Sequence, residues 1–140
     1  MIQFYFLSVI LNLLCGYALA LRQPGPTESP IAQGARLILS DRGLRLSLAV
    51  LSVAIGALKL LFALRGDIPI IGDFLPAIAG IVVGAALLME LSDDAHLPFM
   101  KAGTIGAGIE KVLVSYKVAI GYAGIIAGII HFLFPMVLFL

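Results

Sequence analysis

Charge is scarce in this chain of 140 residues: 12% are Asp, Glu, Lys or Arg, against about a quarter in soluble domains. With 61% hydrophobic residues and a mean hydropathy of +1.13, that scarcity excludes an ordinary soluble domain. Cysteine is nearly absent. A single residue, Cys15, excludes a disulfide framework and any multi-cysteine zinc or iron–sulfur centre built within one chain. Neither sign of charge dominates, since nine Lys+Arg against eight Asp+Glu leave a net charge of +1. Nucleic acid, which is held by clustered cations on phosphates, is therefore not an expected partner. No Ser-His-Asp order, phosphate-cradling glycine loop or CxxC motif occurs, so no catalytic residue, cofactor or metal is expected.

What is abundant is apolar sequence in long runs. A bilayer core of roughly 30 Å needs about 20 apolar residues in a helix, and backbone in lipid must close its own hydrogen bonds. Four segments qualify, at about 2–21, 46–64, 74–89 and 118–140. Their runs are continuous and do not alternate with a period of two, which argues for helices over barrel strands. The expectation is an all-α integral membrane protein with four transmembrane helices. The first run contains Leu13-Leu14-Cys15-Gly16, an echo of a lipoprotein cleavage site. It lacks a basic leader, has a bulky residue before Cys15 and continues apolar to Leu21, so it is read as a retained span.

Arg22, Arg36, Arg42 and Arg45 lie between the first two spans, and Lys101, Lys111 and Lys117 between the last two. Both long connections are expected on the cytoplasmic side of a bacterial membrane, with both termini outside. Residues 23–34 are rich in Pro and Gly and read as a loop. Residues 35–46 and 102–116 mix Leu, Ile and Val with basic residues and read as interfacial amphipathic segments.

The spans also repeat. Arg45, Ala49, Ser52, Gly56 and Lys59 are matched in class, at an offset of 72, by Lys117, Gly121, Gly124, Gly128 and His131, while Ala63 falls unmatched on Pro135. At an offset of 68, Phe6-Leu7 falls on Phe74-Leu75, Gly16 on Gly84, Ala18-Leu19 on Ala86-Leu87, and Asn12 on Gly80. Residues 1–68 and 69–140 are thus read as two helical hairpins of like orientation, related by an axis along the membrane normal. Gly16, Gly56, Gly80, Gly84, Gly121, Gly124 and Gly128 are read as helix-packing positions, because small residues let backbones approach in lipid.

Ionisable groups within a span are costly and are functional candidates by default. Lys59 and His131 occupy equivalent positions near the outer ends of their spans, and Asp67 and Asp73 lie in the short outer connection. Together they form a candidate proton-titrating or anion-binding site; snorkelling with ion pairing is the structural alternative. Asn12, near the middle of the first span, is read as interhelical glue or as part of a polar path. Glu90, Asp93, Asp94 and His96 fit no zinc spacing and read as a solvated acidic turn. Gly56-Ala57-Leu58-Lys59-Leu60-Leu61 and the stretch Gly128 to Pro135 resemble the span tails of small DoxX-like four-helix membrane proteins. That resemblance covers two short stretches and gives no residue a role. The expected function is a non-enzymatic membrane subunit, self-associating or accessory to a larger complex, with lipid, further copies or other membrane subunits as partners. The alternative is a minimal oligomeric transporter or channel with a polar path through Asn12, Lys59 and His131.

Overall fold

Local signals set the helix boundaries in the computed structural model, which describes residues 2–20, 29–63, 74–95 and 104–134. All described regular structure is helical: α1 (Ile2–Ala20), α2 (Pro30–Leu39), α3 (Arg42–Ala63), α4 (Phe74–Ala95), α5 (Thr104–Ser115) and α6 (Lys117–Leu133). Two of these are long and apolar enough to cross a membrane, over Arg42–Leu61 in α3 and Phe74–Leu91 in α4. The apolar stretches of α1 and α6, Phe4–Ala20 and Lys117–Leu133, are shorter.

Three boundaries differ from the sequence reading. Pro30 to Gly34 are helical and not loop: the Ser29 hydroxyl accepts from Ala32 N–H at 3.3 Å and Pro30 opens the helix. Proline suits that first position because its missing N–H would have no intrahelical partner there. The segment 35–46 is divided between two helices. Asp41 Oδ2 accepts from Leu44 N–H at 2.7 Å and so caps α3, which starts at Arg42 rather than at Leu46. The third correction concerns α4, which continues past Met89 to Ala95, so that Glu90 is a helical residue and not part of a turn.

α3 packs along α4 and α1 along α6 in the two largest interfaces, while α1 touches α4 and α3, and α4 touches α6. α3 and α6 barely approach each other. The four long helices thus form a diamond in section, with α1 and α4 across the short diagonal and α3 and α6 at the far corners. Leu11, Cys15, Leu19, Leu48, Val83 and Leu87 fill its centre.

The interfaces close through glycine. A Cβ added at Gly16 would lie 2.6 Å from the Gly121 carbonyl oxygen and 3.0 Å from Ile125 Cγ1, and one at Gly121 would lie 2.6 Å from the Gly16 oxygen. On the other side of the diamond, a Cβ at Gly84 would meet the Ala49 oxygen and Val53 Cγ2, each at 2.8 Å. Gly56 lies in the same way against Ala77 and Ile81, whereas a Cβ at Gly128 would meet only side-chain atoms of Asn12 and Leu13, the nearest at 3.3 Å. At Gly16, Gly56, Gly84 and Gly121 a side chain fits only if the facing helices move apart.

Candidate functional site

The polar residues of the long helices point into the diamond. On α3, Arg45, Ser52 and Lys59 are seven residues apart, and on α6 so are Lys117, Gly124 and His131. Seven residues are about two turns, so each series keeps one face and steps about 10 Å along the helix.

At one end of this axis Lys59 Nζ and His131 Nε2 lie 3.2 Å apart. Both side chains are buried, the residues being 6% and 3% exposed. Tyr5 of α1 completes the cluster. Its hydroxyl donates to the His131 carbonyl oxygen at 2.6 Å, its ring lies 4.6 Å from the imidazole centroid, and Lys59 Nζ stands 5.9 Å from the ring centre. The bond to the carbonyl helps occupy the open C-terminal turn of α6, where backbone acceptors lack helical partners. Asp67 and Asp73 lie outside the described residues.

Midway along the axis, Asn12 is fully buried and donates from Nδ2 to the Pro76 carbonyl oxygen at 3.1 Å. Ser52 Oγ donates to the Gly80 carbonyl oxygen at 2.8 Å. A Cβ at Gly80 would stand 3.3 Å from Asn12 Oδ1, so the glycine makes room for the amide. Cys15 Sγ donates to the Leu48 carbonyl oxygen at 3.4 Å. These bonds satisfy hydroxyl, thiol and amide donors that would be costly bare in an apolar core.

At the far end Glu90 bridges two cations. Its Oε2 accepts from Arg45 at 2.5 Å and its Oε1 from Lys117 at 2.7 Å. With side chains 17% and 18% exposed, the Arg45–Glu90 pair is shielded from water and worth more than a surface ion pair, whereas Lys117, 38% exposed, adds a more screened contact. Glu90 is therefore a structural bridge and not a solvated acid. The side chains of Asp93 and Asp94, and His96 as a whole, lie outside the described residues. Among the described residues no group of His, Cys, Asp and Glu is placed to hold a metal ion.

The structure thus brings Lys59 to His131 and sets Asn12 midway between the two charged ends. Two participants went unrecognised in the sequence. Tyr5 gave no signal beyond a hydroxyl in an apolar run. Glu90 gave a readable one: it follows an apolar span at the level where two bases 72 residues apart, Arg45 and Lys117, enter theirs.

With this geometry described, comparison with known proteins places the chain in a family. A family model without an assigned function matches residues 1–131, and the chain belongs to that family. It is also similar to a protein of Treponema pallidum (strain Nichols) described as an uncharacterized protein, with 29% identity over 143 residues and all of both chains covered. No solved structure matches.

Proposed function

We propose that the chain is a four-span integral membrane protein, with α1, α3, α4 and α6 crossing the bilayer and the Lys59–His131 end outside. Several observations support this reading. The exterior of these helices is apolar, with Phe6, Val50, Leu61, Tyr122, Ile126 and Phe132 exposed, and lipid is the solvent that would cover such a surface. Apolar stretches of 17 residues are at the short end of what a bilayer accepts, and α1 and α6 pack against the longer helices, α1 on α3 and α4 and α6 on α4. The amphipathic α2 and α5 sit at the Glu90 end among Arg36, Arg42 and Lys111, as interfacial helices on the cytoplasmic side would.

The two-hairpin repeat is part of the same proposal. The contacts of Gly16 with Gly121 and Ile125 correspond to those of Gly84 with Ala49 and Val53 under the offsets of 68 and 72. Arg45 and Lys117, equivalent under the second offset, share the one carboxylate of Glu90.

The function best supported is that of a small transporter-like protein handling protons or ions along its interior. One observation carries it: two basic side chains, Lys59 and His131, are buried in mutual contact on the axis of the bundle. Buried ionisable groups are too costly to keep in a membrane for packing alone. The glycine faces that would recruit a partner are occupied within the chain, which shifts weight away from a subunit that self-associates through them. A second reading, as an accessory subunit of a membrane complex, is favoured by the exposed aromatic residues on α6, Tyr122 and Phe132, which suit a neighbouring helix as well as lipid. Reconstitution into proteoliposomes distinguishes the two. Pulses of H⁺, Na⁺, K⁺ and Cl⁻ should give a flux that Lys59→Met abolishes while the protein still assembles. Absence of flux for every ion, with co-purification of a stoichiometric membrane partner, would favour the accessory role.

A further inference from the structure

Asn12 carries an acceptor with nothing to accept. The residue is fully buried and its Nδ2 donates to the Pro76 carbonyl oxygen at 3.1 Å, yet its Oδ1 receives no hydrogen bond from the protein. Turning the amide over does not help, because Oδ1 would then face the Pro76 oxygen, acceptor against acceptor. A bare amide oxygen in an apolar interior is costly, and nearly all buried acceptors in native proteins find a donor.

Gly80 marks the place that a donor would take. The ideal Cβ position of Gly80 lies 3.3 Å from Asn12 Oδ1, 3.5 Å from the Ser52 carbonyl oxygen and 3.6 Å from Ser52 Oγ, and these are its three nearest atoms. At Gly16, Gly56, Gly84, Gly121 and Gly124 an atom of a facing helix stands 2.8 Å or less from the corresponding point. Over Gly80 the space is open and ringed by oxygen. None of the three oxygens brings a proton into it: carbonyls only accept, and Ser52 Oγ has committed its hydrogen to the Gly80 carbonyl oxygen at 2.8 Å. Two occupants suit three lone-pair donors, a small cation and a water molecule. A cation would sit without countercharge. The carboxylate of Glu90 is ten residues along α4, about 15 Å, and is held by Arg45 and Lys117. Asp41, the other carboxylate with a described side chain, is exposed ahead of α3. Water needs no countercharge and is stable in a protein interior with two to four polar partners.

We propose that a single water molecule is bound over Gly80, donating one hydrogen bond to Asn12 Oδ1 and one to Ser52, and that it ties α1 to α3 at the centre of the bundle. Being unbonded to Gly80, the water stands further from its Cα than a methyl carbon would. It is thereby nearer the oxygens, at ordinary O–H···O lengths of about 2.5–3.0 Å. The tie continues a polar seam between the same two helices, where Cys15 Sγ donates to the Leu48 carbonyl oxygen; Asn12 and Ser52 are three and four residues from that pair, one turn along each helix. Gly80 is then required for the space it leaves and not for backbone contact. The site is the same whether the chain carries ions or serves a larger complex, since Asn12 is buried in both cases.

Crystals of the full chain grown in a lipid mesophase, diffracting well enough to show ordered water, test the proposal. The electron density should contain one isolated peak within about 3 Å of both Asn12 Oδ1 and a Ser52 oxygen. Crystals grown with a thallium(I) salt should show no anomalous signal at that peak, and in Gly80→Ala the new methyl group should expel it. An empty site in the wild type, a thallium signal there, or a peak that persists in Gly80→Ala would each overturn the proposal. The two wild-type crystals decide it even where Gly80→Ala does not fold.

Discussion

Replacing glycine by alanine adds one methyl group, and its effect should change sign with position in this protein. At Gly16 and Gly121 the new Cβ would lie 2.6 Å from a backbone carbonyl oxygen of the facing helix. Ordinary contact needs roughly a further 0.6–0.8 Å, so α1 and α6 must move apart along their shared face. Overpacking of this kind costs about 1–3 kcal/mol. Alanine recovers up to about 1 kcal/mol of helix propensity, leaving each variant less stable by up to about 2 kcal/mol. At Gly34 in α2 and Gly108 in α5, a Cβ would meet nothing within 4 Å. There only the propensity gain remains, and stability should rise by about 0.5–1 kcal/mol. Gly80, whose nearest would-be contact is Asn12 Oδ1 at 3.3 Å, should fall between these cases. Thermal unfolding in detergent micelles, followed by circular dichroism, reads the difference as a shift of several degrees in opposite directions. If Gly16→Ala and Gly121→Ala unfold at the temperature of Gly34→Ala, the close approach of α1 and α6 is not present in the protein.

Glu90→Gln removes the shared carboxylate and leaves Arg45 and Lys117 facing each other, which should destabilise the chain by about 1–3 kcal/mol; unfolding unchanged by the variant would show that the bridge contributes nothing. Because the largest interfaces, α1 with α6 and α3 with α4, join the two halves of the chain, residues 1–68 and 69–140 produced as separate pieces should co-purify when co-expressed. Two halves that each remain monodisperse alone would contradict that arrangement. For topology, cysteine at Gln33 should resist and cysteine at Phe134 should react with an impermeant thiol reagent added outside intact cells of a Cys15→Ala strain; the reverse pattern would invert the proposed orientation.

The contact of Lys59 with His131 was legible because bases fourteen residues apart, about four turns, stay on one face of a helix, and because both series share one offset. Depth and facing then follow from helix geometry. The start of α2 was misread for a compositional reason: Pro24, Pro26 and Pro30 were weighed together, whereas Ser29-Pro30 is locally a cap followed by a favourable first helical residue. The length of α4 was hidden by its acidic last turns, which oppose the helix dipole. Glu90 escapes that penalty through Arg45 and Lys117, partners more than 25 residues distant in sequence. Tyr5 was invisible because its partner is a carbonyl oxygen, and backbone acceptors carry no signature in the side-chain code.

The pairing of Asn12 with Gly80 bears on how such a protein could have arisen. In the proposed repeat these two residues are counterparts, and they sit face to face across the short diagonal. A dimer of identical hairpins would have to place the same residue on both sides. Two asparagines would compete for the space that one amide fills, and two glycines would forfeit the bond to Pro76. Joining both copies in one gene removes that constraint, since each side can then mutate alone. If the proposed repeat is real, the centre of the bundle shows a division of labour that a fused chain permits and a symmetric dimer of hairpins does not.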